Sequence, residues 1–127
     1  MSLPEVPEPR RLLIKITCGA EAPERANQAW TVASLGVAAG VEVTVWLAGE
    51  AVWCAVPGRQ PDLALPYATP VDELVDAVRS GGHVVVCSQC AARRELTEDQ
   101  LFDGARIAGA ALFLEAALQP GVQALVY

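Results

Sequence analysis

Apolar positions along the chain fall into two alternating patterns: short unbroken runs, and stripes at helical spacing. Leu12-Leu13-Ile14-Lys15-Ile16-Thr17 is a short apolar, β-branched run, the mark of a buried strand. Cys18-Gly19-Ala20 breaks it, and Pro23 stands where a helix takes its first residue. Ala26, Ala29, Trp30, Ala33 and Val37 then recur at helical spacing, with Glu21 and Glu24 near the positive end of the helix dipole. Gly40 ends that stripe, and Val41 to Leu47 (VEVTVWL) predicts a second strand. Gly49-Glu50 opens a short helical turn through Trp53 and Cys54.

Pro57, Pro61, Pro66 and Pro70 crowd the next stretch, so Gly58 to Ala68 is predicted as loop. Thr69 is the expected cap of the following helix, with Pro70 at its first position. Val71, Leu74, Val75 and Val78 make the stripe that faces a core, and Gly81-Gly82 ends it. His83-Val84-Val85-Val86-Cys87 predicts the third strand, and Ser88 to Arg94 turns from it into a short helix. Thr97 with Gln100 three residues on is a capping box, and that short helix closes near Gly104. Ala105 to Ala108 predicts a fourth strand, Ala110 to Gln119 a helix, and Val122 to Tyr127 a last strand. One long helix from Glu98 to Leu118 is the competing reading of this region.

Strands that alternate with helices imply α/β architecture: a parallel sheet with helices on both faces, three layers in all. In such sheets ligands bind beyond the carboxyl ends of the strands. That edge should hold Cys18-Gly19, Ala48-Gly49-Glu50 and Cys87.

Composition narrows the possibilities. The 127 residues are 53% hydrophobic and 19% charged, which excludes a disordered chain and supplies a core without disulfide or metal scaffolding. The net charge of −6 lacks the positive footprint that nucleic acid or an anionic membrane requires. Glu42, Glu50 and Glu115 interrupt the longest apolar stretches, so none reaches the roughly 18 residues of a membrane helix. The opening MSLPEVPEPRR carries Pro4, Pro7 and Pro9 and no apolar signal-peptide core. It is read as a flexible Pro-rich arm over residues 1–11, ahead of one domain over residues 12–127. A cytoplasmic location is expected. In that reducing compartment cysteine pairs are more often reactive or metal-binding than structural.

Among the four cysteines, Cys87 is the leading candidate for chemistry. A thiol at a strand's end, beside the start of the next helix, is favoured as thiolate, and Arg93 and Arg94 would add positive charge if they fold back. Cys90, three residues on, is placed to resolve an adduct on Cys87. Cys18, Gly19, Glu50, Ser88, Arg93 and Arg94 are the candidate supporting or binding residues. The bland reading is that Cys87 and Cys90 are small packing residues, since buried free cysteines are common. C-x-x-C at a strand-to-helix turn also suggests thiol-disulfide exchange of the thioredoxin type, though no aromatic residue stands directly before Cys87 and no partner Pro loop precedes a later strand. Zinc would need two more ligands. His83 starts the strand about 13 Å from Cys87, toward the opposite edge. No phosphate loop is present, and neither a metal nor a cofactor is expected. Cys54 reads as packing, Glu50 as a helix-start or site carboxylate, and Trp30, Trp46 and Trp53 as core or interface.

The segment CSQCAARREL after an apolar strand, the helix PVDELVDAVRSGG before it and the opening ITCGAEAPERANQAW resemble the DsrE/DsrF-like (sulfur-relay) proteins. The resemblance runs from about Leu12 to Tyr127. It implies a five-stranded parallel sheet between helices and assembly as a homotrimer or hexamer. It also implies that Cys87 accepts sulfur as a persulfide and hands it on, with sulfur donor and acceptor proteins as partners. Glu95 departs from the pattern, because those proteins often carry glycine just after the arginine pair. A carboxylate there would be expected to pair with an arginine and weaken its help to Cys87. The alternative is a non-catalytic oligomeric subunit, or a small-ligand-binding module, that keeps the fold without the relay. Self-association is also expected from the apolar surplus and from Leu63, Leu65 and Tyr67 in the Pro-rich loop.

Overall fold

The structure is a computed structural model that describes residues 10–127; the remainder of the proposed arm lies outside the described residues. In chain order the elements are β1 (Arg11–Ile16), α1 (Pro23–Ala38), β2 (Glu42–Leu47) and a 3-10 segment, Gly49–Ala55. There follow α2 (Val71–Gly81), β3 (His83–Cys87), α3 (Ser88–Arg93), a 3-10 turn (Glu98–Gln100), β4 (Arg106–Ala108), α4 (Ala110–Ala117) and β5 (Val122–Val126). The five strands form one sheet in the order β4-β3-β2-β1-β5, and every neighbouring pair is parallel.

Strand alternation sorts the side chains into two unlike faces. Ile14, Ile16, Val43, Val45, Leu47, Val84 and Val86 turn to the side of α1 and α2 and join the main core. Ala26, Ala29, Trp30 and Ala33 meet them from α1, and Val71, Leu74, Val75 and Val78 from α2. Each fully buried Val or Ile here is worth about 1.5–3 kcal/mol relative to exposure. The other face carries Leu13, Lys15, Thr44, Trp46 and Val85, and α4 lies over it; Phe113 meets Trp46 edge-on with ring centroids 5.4 Å apart. No residue of α4 is buried.

Several local expectations shift. β1 begins at Arg11, which the sequence reading gave to the arm, because Arg11 pairs with both Glu42 and Val122. Pro70, not Thr69, occupies the N-cap of α2, and the Glu73 and Leu74 amides donate to its carbonyl at 3.1 and 3.2 Å. Proline's preset φ serves there without a hydroxyl cap. β4 interrupts the stretch from Glu98 to Leu118, so the single long helix does not form. The capping box does: the Gln100 side chain accepts from the Thr97 amide at 2.8 Å. Leu63 is buried and Leu65 packs on the core, so of the three apolar loop residues only Tyr67 is exposed.

Candidate functional site

Cys87 ends β3 and caps α3, at the carboxyl edge of the sheet. It is half-buried, whereas Cys18, Cys54 and Cys90 are buried, and all four thiols are free. Desolvation by itself would raise the Cys87 pKa. The Cys90 backbone N–H and thiol, the Gln89 backbone N–H and the charge of Lys15 outweigh that penalty, and the pKa is lowered below the ordinary thiol value. No full side-chain capping bond closes at Cys87, so these groups act as nearby donors that favour the thiolate.

The segment after β2 braces this corner. Gly49 sits at φ +54°, and a Cβ there would stand 2.6 Å from the Thr17 carbonyl oxygen, so only glycine fits. Its amide donates to the Cys90 sulfur at 3.2 Å. Cys90 therefore lies behind Cys87, pinned against the β2 edge. Glu50, the next residue, does not approach Cys87. Its carboxylate takes Arg94 through Nε and NH2, both at 2.9 Å, and the Trp53 indole N–H at 3.3 Å. Arg94 also donates to the Cys90 carbonyl at 3.1 Å, tying α3 to the 3-10 segment.

The arginine pair thus does not fold back onto Cys87. Arg93 is exposed, and Arg94 is engaged by Glu50 rather than by Glu95. Glu95 lies at φ +55°, the left-handed region that glycine enters freely, which explains why glycine suits this position. Cys18 stands at the expected edge, but its side chain joins the main core, and burial followed by Glu21 raises its pKa while Arg25 opposes them. Gly19 packs against Glu50 and gives its amide to the Glu21 carboxylate at 2.5 Å. Ser88 opens α3 beside Gly109, whose Cβ would meet its Oγ at 3.6 Å. His83 is exposed at the start of β3, at the other end of that strand.

Sequence reasoning missed Lys15. It is the only lysine of the chain, set mid-strand between Ile14 and Ile16. Its ammonium stands 5.0 Å from the Phe113 ring centroid. The available signal was a lone charge inside an apolar β-run, on the strand face opposite the core.

Among the described residues no cluster of three or more His, Cys, Asp or Glu is arranged to hold a metal ion. A recess of about 510 Å³ lies against the Pro-rich loop, lined by residues such as Asn27, Gln60, Leu63 and Thr69, and no cysteine borders it. The candidate thiol, Cys87, is at the sheet edge instead.

Burial pushes the Cys54 thiol up to about 12, with the Trp30 indole opposing and Cys18 reinforcing the shift. Timed alkylation near neutral pH is therefore expected to label Cys87 first and Cys54 last, since the thiolate attacks. Lowering the pH through the depressed Cys87 pKa should slow its labelling. Peptide mass mapping reads the order; labelling of Cys54 before Cys87 would remove the site assignment.

A five-stranded parallel sheet in the order β4-β3-β2-β1-β5, with helices packed on it, defines an α/β class. The sequence profile of the DsrE/DsrF-like family matches residues 10–126, and the chain belongs to that family. A relative in Methanocaldococcus jannaschii, the uncharacterized protein MJ0989, is 33% identical over 91 residues, covering 69% of this chain and 77% of that protein. Among solved structures, the ychN protein from E. coli superposes with a TM-score of 0.76 at 15% identity, over 93% of this chain and 99% of that one. MTH1491 from Methanobacterium thermoautotrophicum, a protein of unknown function, gives 0.68 at 12% identity, over 94% and 100%. At such identities these two establish the shared fold only. Among the described residues no helix is long and apolar enough to cross a membrane.

Proposed function

We propose that this protein is a sulfur carrier that accepts sulfane sulfur on Cys87 and passes it on. The observation that carries the reading is the half-buried Cys87 with a lowered pKa, at the strand-to-helix edge where family resemblance puts the acceptor. The Cys87 thiolate attacks the terminal sulfur of a donor persulfide. The new S–S bond forms as the donor's own S–S bond breaks, the donor leaves as thiolate, and the proton stays on the transferred sulfur. An acceptor thiolate then attacks that sulfur and releases Cys87 as thiolate. No oxidant is consumed. Cys90 serves as a hydrogen-bond donor to Cys87; its burial and its bond to Gly49 argue against exchange of the thioredoxin type, in which it would have to attack a Cys87 adduct.

A second reading, a non-catalytic oligomeric subunit or small-ligand module, draws on the Glu50–Arg94 pair, which spends that cation away from Cys87. Incubation with glutathione persulfide followed by intact mass separates the two. Gain of one sulfur atom mapped to Cys87 supports the carrier, and unmodified protein supports the module. A reducing compartment such as the cytoplasm suits free thiols in either case.

Exposed apolar side chains on both flanks of α4 support self-association. Leu112, Leu114 and Leu118 are 50, 59 and 73% exposed, and Val126 on the edge strand is 65% exposed. Large apolar side chains left this exposed close together on one helix and the neighbouring edge strand favour an interaction site. Leu114→Asp is expected to reduce the assembly to monomers by light scattering at micromolar concentration. An unchanged mass, or a monomeric parent protein, would remove α4 as the contact.

A further inference from the structure

We propose that Lys15 is the positioning cation of the site: its ammonium is the counter-charge of the Cys87 thiolate and, after transfer, of the persulfide sulfur. The proposal deepens the carrier reading and rests on it for the second part. Three observations carry it. The strand register aligns Lys15 with Trp46 and Trp46 with Val85, and Cys87 is two residues beyond Val85 on the same face. Two strand spacings of roughly 5 Å each, and an offset of two residues or roughly 7 Å along the strand, separate the two backbone positions, a span that a long lysine stem narrows. Lys15 makes no ion pair with any carboxylate among the described residues, although it is half-buried; its ammonium meets the Phe113 ring. A partly desolvated cation without a carboxylate is costly unless an anion meets it. The lowered pKa of Cys87, to which Lys15 contributes, agrees.

The other charged and titratable groups around this face leave that role to Lys15. From α3, Cys90 is a neutral donor in its thiol form, Arg93 is exposed, and Arg94 is neutralised by Glu50. β2 presents Thr44 and Trp46, neither of them charged. His83 lies at the far end of β3. On the edge strand β4, Arg106 pairs with Val85 but is exposed, where solvent screens it. On α4, Glu115 is exposed and makes no ion pair among the described residues.

The test uses Lys15→Met, Lys15→Gln and Lys15→Arg in the full chain, with circular dichroism to confirm folding. Cys87 is alkylated across pH with neutral iodoacetamide and with anionic iodoacetate. Loss of the charge should raise the midpoint of the pH profile and slow iodoacetamide labelling near neutral pH about three- to tenfold. The iodoacetate-to-iodoacetamide rate ratio should also fall, and arginine should restore both. A structural role would leave the ratio unmoved. Unchanged midpoint and unchanged ratio in both neutral variants would overturn the proposal. If the charge effects hold but the parent protein takes no sulfur from glutathione persulfide, the carrier reading fails while Lys15 keeps its place as counter-ion of the thiolate.

Discussion

Cys87→Ser is expected to abolish sulfur loading completely while leaving the fold intact. A serine hydroxyl is not ionised near neutral pH and forms no persulfide, so the transfer loses its nucleophile rather than a fraction of its rate. The swap changes side-chain volume little at a half-buried position, so stability should move by no more than about 0.5 kcal/mol. Intact mass after glutathione persulfide, with urea unfolding of the same sample, reads both halves. Sulfur retained by the serine variant would move the acceptor to another thiol. Cys90, Cys18 and Cys54 are all buried, so such a result would also require an opening that exposes one of them.

The largest stability loss from one added methyl group is expected at Gly49. Gly49→Ala puts a side chain at φ +54° and sets its Cβ 2.6 Å from the Thr17 carbonyl oxygen, which belongs to backbone and cannot swing away. The left-handed conformation costs roughly 1–2 kcal/mol, and relieving the clash adds to it, for about 2–4 kcal/mol in all. In a domain of this size that is a fall in Tm of about 10 °C. Gly40→Ala is the internal control: its φ is +80°, but nothing lies within 4 Å of a Cβ there, so it should lose only the conformational part. Equal losses at the two positions would show that the contact with Thr17 carries no weight. Displacing the Gly49 amide also withdraws its hydrogen bond from Cys90, so Cys87 alkylation should slow in the same variant.

Glu50 and Arg94 make the same corner depend on tertiary contact. They are 44 residues apart, yet their ion pair, in which two Arg94 nitrogens meet one Glu50 oxygen, fastens the end of α3 to the segment after β2. The carboxylate is about half exposed, so solvent screens the pair, and its value lies in holding Cys90 in place more than in stability.

Order and type of the elements were legible in the residues, because periods of two and of about 3.6 are local properties of the chain. Val71, Leu74, Val75 and Val78 face the core as their spacing requires, and the glycines and prolines punctuate the elements near the expected points. The position of Cys87 at the carboxyl edge followed from the end of the third apolar run. Boundaries that turn on a single partner did not follow: Arg11 is strand because β2 and β5 flank it, and Pro70 displaces Thr69 as the cap. Which charges meet the thiol was decided only by register and strand order. The arginines adjacent in sequence turn away, one to Glu50 and one to solvent, while Lys15 arrives from a strand two places across the sheet. Cys18, at the right edge, is buried in the core instead. Pairings between segments forty or more residues apart are global solutions of packing, and no local pattern in the chain encodes them.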